Sequence, residues 1–161
     1  MRIGVISDTH GRVKIMREAV AAMGKIDMLL HAGDHITDAE ILRAELDVPV
    51  YAVRGNCDFY DPGPEEEVIA VGGWKILLTH GHLYRVKYGY QLLAQQAEEK
   101  KIDVAVFGHT HIPYNHRHGG VLLFNPGTLS HPRTEDGLTY GILEVGPSGI
   151  SGTIYHFQPD T

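Results

Sequence analysis

Eleven histidines in 161 residues set this chain apart, because imidazole is the commonest metal ligand and the side chain that titrates near neutrality. Their grouping with Asp and Asn tells more than their number. Asp8-Thr9-His10, Gly33-Asp34, Gly55-Asn56-Cys57-Asp58, Thr79-His80-Gly81-His82 and Gly108-His109-Thr110-His111 each follow a short apolar run. Taken singly, most have an ordinary explanation. Asp8 would serve as a helix cap beside a surface histidine, Gly33-Asp34 as a turn or cap, Asn56 as a turn residue at positive φ, and His80 as a satisfied structural histidine. Gly108-His109-Thr110-His111 is more specific, since alternate residues of an extended segment point the same way and present two imidazoles to one site. A mononuclear site or a polar loop would also fit it.

The series changes the balance. Five strand-like runs end in Asp, Asn or His, at the carboxyl edge where open α/β sheets gather their ligands. Gaps of 26, 22, 24 and 29 residues separate Asp8, Asp34, Asn56, His80 and His109, about what a strand, a helix or hairpin arm and two loops consume. Asp8, His10, Asp34, Asn56, His80, His109 and His111 then form a set of nitrogen and oxygen donors without thiolate, suited to borderline or hard divalent ions and too numerous for one tetrahedral zinc. Two ions sharing one carboxylate fit the count. Such a pair stabilises both the attacking and the departing oxygen of an in-line displacement, with bound hydroxide as the natural nucleophile. Two dications offset by two aspartates and a hydroxide leave a locally positive site that attracts an anionic ester.

The elements that must position these residues read as α/β. Arg2 to Ser7, Asp27 to His31 and Pro49 to Val53 have strand patterns, separated by a helical stripe from Val13 to Met23 and a second helix around Ala39 to Leu46. Asp61-Pro62-Gly63-Pro64 breaks the chain before a hairpin, Glu67 to Val71 and Trp74 to Thr79, turning at Gly72-Gly73. A third helix is expected from Tyr90 to Lys101, then a fully apolar strand from Val104 to Phe107. Val121 to Phe124, Thr139 to Val145 and Gly152 to Phe157 read as further strands. The expectation is one domain over 1–161, two packed sheets with helices outside.

Composition bounds the partners. The formal net charge of −6 is the wrong sign for a domain that neutralises many phosphates of a long nucleic acid. No stretch approaches the ~20 apolar residues of a membrane span, and the start lacks the features of a signal peptide. With Cys57 as the only cysteine, no internal disulfide forms, in keeping with a reducing compartment. A soluble cytoplasmic protein is expected.

The ordered set DxH, GD, GNxD, a strand-terminal His and GHxH resembles the calcineurin-like metallophosphoesterases from Arg2 to His111. The GNCD form, GHTH and Asn125-Pro126-Gly127-Thr128 resemble the YfcE-type small prokaryotic phosphodiesterases. The resemblance implies a two-sheet sandwich flanked by helices, an αββα arrangement. It assigns Asp8, His10, Asp34 and His111 to one metal, and Asp34, Asn56, His80 and His109 to the other. Asp34 is the implied bridge, and a bridging hydroxide is the implied nucleophile. Manganese is the expected metal, with nickel, iron or zinc as alternatives.

The family's commoner loop is GNH followed by Asp or Glu, whose histidine assists the leaving group or the developing charge, whereas this chain has Cys57, so the acid catalyst is open. Asn125 to Thr128 is expected either to line the site or to form a tight turn. His35 and His82, each beside a candidate ligand, are candidates to contact a phosphoryl oxygen. His82, Asp34, Asn56 and Cys57 are taken as candidates for the chemical step. Arg133 reads either as a phosphate clamp at the rim or as a surface arginine. His31 reads as a core histidine, His116, His118 and His156 as solvated or structural, and Glu65 to Glu67 as a solvated run. The substrate expected is a small phosphodiester. Phosphomonoesters are the nearest alternative, and a protein-interaction scaffold of the retromer-subunit kind is a more distant one. A nuclease of the SbcD type normally adds a capping region for which this length leaves no room. Resemblance also implies a homo-oligomer.

Overall fold

A computed structural model describes residues 1–59 and 61–160. The chain runs β1 (Arg2–Ile6), α1 (Val13–Ala22), β2 (Met28–His31), α2 (Thr37–Glu45), β3 (Val50–Ala52), β4 (Glu66–Val71) and β5 (Trp74–Thr79). It continues with α3 (Gln91–Glu99), β6 (Val104–Val106), β7 (Tyr114–His118), β8 (Val121–Asn125), β9 (Thr139–Gly146) and β10 (Gly149–His156). The strands form two five-stranded sheets, β10-β9-β1-β2-β3 (sheet A) and β4-β5-β6-β8-β7 (sheet B). In sheet A β1, β2 and β3 are parallel, and in sheet B β5, β6 and β8 are parallel.

Strand alternation divides the apolar residues among three layers. Ile3, Val5 and Leu30 of sheet A meet Ile76, Leu78, Val104, Val106, Leu122 and Phe124 of sheet B in the core between the sheets. Their neighbours face outward: Ile6, Leu29, Val50 and Ile142 pack under Met16, Ala19, Val20, Ala39 and Leu42 of α1 and α2. On the other side Leu77, Ala105 and Leu123 pack under Leu93 and Ala97 of α3. Strands buried on both faces read as continuous apolar runs, as β1, β2 and β6 do. The result is the expected helix-sheet-sheet-helix sandwich.

Most expected elements appear with ends shifted by one to three residues. Two features depart from the sequence reading. Tyr114–His118 is a strand, pairing antiparallel with β8 at the edge of sheet B. Its residues, Tyr-Asn-His-Arg-His, carry no apolar alternation because no residue in it is fully buried. Two short 3₁₀ turns, His82–Tyr84 and Val86–Tyr88, also link β5 to α3. Among the described residues, no helix is long and apolar enough to cross a membrane.

Candidate metal centre

The parallel strands of both sheets end at one edge, where the loops lock together. The Asp8 N–H donates to the Gly33 carbonyl at 2.9 Å and the Gly108 N–H to the His80 carbonyl at 2.9 Å. The His109 N–H donates across the sandwich to Asp8 Oδ2 at 3.1 Å. Such tight reversal has a conformational cost. Asp8, His10, Asp34, His109 and His111 all adopt left-handed backbone, with φ of 54°, 45°, 57°, 71° and 63°, each worth on the order of 1–3 kcal/mol for a side-chain-bearing residue. Asn56, which the ordinary turn-residue explanation would put at positive φ, is not among them. The motif glycines serve close approach instead: a Cβ on Gly55 would lie 2.0 Å from Asp34 Oδ1, and one on Gly108 2.0 Å from Ser7 Oγ.

All seven sequence-predicted residues converge. Donor atoms of Asp8, His10, Asp34 and His111 lie within 4.8 Å of one another, as do those of Asp34, His80 and His109, so Asp34 belongs to both groups. His80 Nε2 sits 3.3 Å from Asp34 Oδ2 and 3.1 Å from Asn56 Oδ1. His111 Nε2 is 3.2 Å from Asp8 Oδ1, and His10 Nε2 is 3.6 Å from Asp34 Oδ2. Asp8 Oδ1 and His10 Nε2 are buried with no hydrogen-bond partner among the described residues. Buried polar atoms left unpaired cost about 1–3 kcal/mol each, and a shared cation would satisfy both.

Outer contacts fix the ligands' orientation. His80 Nδ1 donates to the Ala32 carbonyl at 2.8 Å and His111 Nδ1 to the His131 carbonyl at 2.7 Å. In each ring the other nitrogen is thereby turned to the carboxylates, the arrangement that metal-binding histidines use. Asp34 Oδ1 accepts the Cys57 N–H at 3.0 Å. Two further buried aspartates brace the loops. Asp58 accepts from the N–H groups of Gly55, His35 and Ile36. Asp38 accepts from Thr9 Oγ1 and the Gly11 N–H and pairs with His35 Nδ1. His31 is the core histidine expected: Nδ1 accepts the Gly33 N–H and Nε2 lies 2.9 Å from Thr9 Oγ1.

The electrostatics follow from crowding opposite charges. Burial alone would raise Asp34, but the His80 hydrogen bond and charge, the Cys57 N–H and His10 hold it well below the usual carboxylate range. Burial lowers His80 and His111, yet their carboxylate neighbours Asp34 and Asp8 outweigh it and raise both. His109, desolvated and beside His80 and Lys87, is lowered to about 4. Desolvation and then the Asp34 carboxylate push the Cys57 thiol up to about 11, so it is a neutral, weak donor.

The cluster floors a cavity of about 320 Å³, which Cys57 and three residues from other elements, Lys87, His131 and Arg133, also line. Arg133 is thus both exposed and at the rim. Lys87 and His131 escaped the sequence reading: Lys87 lies in the unforeseen 3₁₀ turns, and His131 follows no motif. His82 lies outside this cavity, its ring 5.4 Å from His80, and lines a smaller neighbouring one. His35 is engaged by Asp38 and lines neither. Asn125 and Thr128 brace rather than line: Asn125 Nδ2 donates to the Gly108 carbonyl and Thr110 Oγ1, and Thr128 Oγ1 to the Asp8 carbonyl. A groove of about 430 Å³ under Arg17 and Leu46 is more apolar but holds no such donor cluster among the described residues.

Known proteins place this arrangement. The family described as the calcineurin-like phosphoesterase superfamily domain matches residues 1–147. The probable metallophosphoesterase YsnB of Bacillus subtilis is 35% identical over 146 residues, covering 90% of this chain and 85% of that protein. The phosphodiesterase YfcE of Escherichia coli is 36% identical over 104 residues, 59% of this chain and 52% of that one. Among solved structures, wild-type Vps29 of Entamoeba histolytica complexed with zinc superposes with a TM-score of 0.80 at 27% identity, over 96% of this chain and 92% of the other. With the family match spanning both sheets and every candidate ligand, the chain belongs to the calcineurin-like phosphoesterase superfamily.

Proposed function

We propose that this protein is a phosphodiesterase that hydrolyses small phosphate diesters with two divalent metal ions, manganese foremost and nickel, iron or zinc as alternatives. Asp8, His10, Asp34 and His111 would hold one ion, and Asp34, Asn56, His80 and His109 the other. The observation that carries this reading is the pair of donor groups that share Asp34. The donors fit such ions: they are nitrogen and oxygen only, two of them are buried and unpaired, and the His80 and His111 tautomers are set by backbone carbonyls. When bound, the ions supply Lewis acidity that activates water and offsets charge on the phosphoryl group.

The chain's own residues do the rest. Lys87 and Arg133 at the cavity rim offer cations to the non-bridging oxygens of the ester, the guanidinium forking onto two of them. Asp34, fixed by Cys57 N–H, keeps its orientation as substrate enters. Cys57 faces the same cavity in the place of a stronger acid. A net charge of −6 favours a small ester over long nucleic acid as substrate.

Turnover of bis(p-nitrophenyl) phosphate, followed with and without manganese and after chelation, tests the reading. Hydrolysis that requires added metal, and that exceeds hydrolysis of p-nitrophenyl phosphate, is the expected result. Undiminished activity after exhaustive chelation overturns the metal mechanism, and faster monoester cleavage makes the protein a phosphomonoesterase. Metal uptake without turnover of either ester leaves a metal-binding scaffold, a reading to which the likeness to zinc-loaded Vps29 lends weight.

A further inference from the structure

Next to the metal cavity is a second one of about 160 Å³, and Asn56 lines both. Arg54, Gly55, Asp58, Phe59, Glu65 and His82 form its other walls. Three features there have no explanation in the fold. Phe59 is 79% exposed although it is a large apolar ring. Arg54 Nε is buried with no hydrogen-bond partner among the described residues, and so is His82 Nδ1. Among the described residues the Arg54 guanidinium meets only one carboxylate, Glu65, through Nη2 at 3.2 Å. The Asp58 carboxylate, also in the wall, is already engaged by three backbone N–H groups.

Each feature constrains what enters. A single exposed phenyl is common on protein surfaces, but one that walls a cavity sharing Asn56 with the metal-ligand cluster offers a stacking face. The Arg54 side chain is 29% exposed, and beyond the Nη2 bond to Glu65 its guanidinium has further N–H groups to offer an acceptor on a ligand. The Arg54 charge is balanced by Glu65, and Asp58 adds negative charge, so a second anionic group is disfavoured while a neutral acceptor is not. The volume suits one ring rather than an extended chain.

From this we infer that the cavity is the subsite for one ester arm of the substrate: a neutral aromatic ring stacked on Phe59, carrying a hydrogen-bond acceptor that faces Arg54. The inference rests on the phosphodiesterase reading, in which one arm lies beside the reacting phosphorus at Asn56. Arg54 and Phe59 are specificity-determining residues in this account, outside the set that would hold metal.

Binding of non-hydrolysable phosphonates to the manganese-loaded protein tests it without turnover. Wild type should bind phenylphosphonate about threefold to tenfold more tightly than methylphosphonate, the range expected of one aromatic contact. Phe59→Ala should erase that preference and leave methylphosphonate affinity unchanged, while Phe59→Tyr retains it. A 4-acetyl substituent on the ring should tighten binding to wild type and not to Arg54→Met. Equal affinity of wild type for the phenyl and methyl ligands, no measurable phenylphosphonate binding, or equal weakening of both ligands by Phe59→Ala would each overturn the subsite. Diester turnover without ring preference removes the subsite and leaves the phosphodiesterase reading. Ring preference without diester turnover does the reverse.

Discussion

Sheet A and sheet B approach the cluster with different chemistry. Loops after β1, β2 and β3 deliver both carboxylates, Asp8 and Asp34, along with His10 and Asn56, and two further buried aspartates, Asp38 and Asp58, brace those loops. Loops after β5 and β6 deliver only imidazoles, His80, His109 and His111, and apart from Asp8 Oδ2, which accepts the His109 N–H, neutral groups brace them: the carbonyls of Ala32 and His131 and the amide of Asn125. Negative charge therefore comes from one sheet and directed lone pairs from the other. A change on the sheet A side alters the charge that holds cations. One on the sheet B side alters geometry.

Asp34→Asn strikes the charged side where both donor groups meet, and the largest effect is expected there. Loss on the order of 10³ or more in diester turnover, several kcal/mol, matches removal of a group on which both ions depend. Asn56→Ala, touching one group, should cost less and retain one metal equivalent. Elemental analysis of the two variants beside their rates checks this. Two full equivalents in Asp34→Asn would show that the sheets' division of labour is wrong.

A second expected effect concerns stability rather than turnover. Burial, partly opposed by Asp38, depresses His31 from its ordinary 6.5 to about 4, so it folds neutral. The unfolded chain binds a proton between those values and the folded chain does not, so stability falls as pH drops from 6.5 toward 4. His31 alone contributes about 3 kcal/mol to that loss. Denaturant titrations of metal-free wild type and His31→Gln at pH 7 and pH 4.5 isolate it: the variant starts less stable and loses less. An equal loss in both would put the acid sensitivity elsewhere.

The same contrast explains what the sequence could and could not disclose. Ligands on the sheet A side and the GHTH loop sit directly after apolar strands, so position relative to hydrophobic runs exposed Asp8, Asp34, Asn56, His80 and His109. Braces lack that signal. Asp38 lies inside α2, where an acidic residue in the first turn looks like an ordinary helix feature, and its partners Thr9 and Gly11 are more than 25 residues away. Lys87 and His131 reach the cavity from loops with no periodic pattern. Strand β7 was illegible because an edge strand need not alternate. The left-handed φ at five ligand positions also has no sequence mark, since Asp and His there read as turn residues of any kind.

Cys57 tests whether the site lacks an acid. A thiol is a weak hydrogen-bond donor and so a poor one to a departing alkoxide. General-acid help contributes about 10² to 10⁴ where the leaving group is basic. Cys57→His should therefore speed esters of high leaving-group pKa by about 10² at the low end of that range, while aryl esters change little. Rates across a graded ester series give the slope for each protein. Identical slopes would mean that Cys57 only packs beside Asp34 and that another imidazole nearby, His131 on the same cavity or His82 on the neighbouring one, or solvent supplies the proton.

The smallest effect expected belongs to Asp38, because it touches no candidate ligand side chain. Its carboxylate ties Thr9 and Gly11 to α2 and so holds the turn that carries Asp8 and His10. Asp38→Asn keeps the size but removes the charge and one acceptor oxygen, loosening that turn without emptying the cavity. Outer-contact changes of this kind cost 10- to 100-fold in metal affinity. About tenfold is expected here, since Asp8 retains its bonds from Ser7 Oγ and the His109 N–H. Turnover at saturating manganese should stay within a few-fold of wild type, because the ligands are then all in place. Calorimetric metal titration paired with saturated rates separates the two quantities. Were turnover to fall by 10² with metal affinity unchanged, Asp38 would have to act on the substrate directly, and the view of sheet A as a charged scaffold for cations would need replacing.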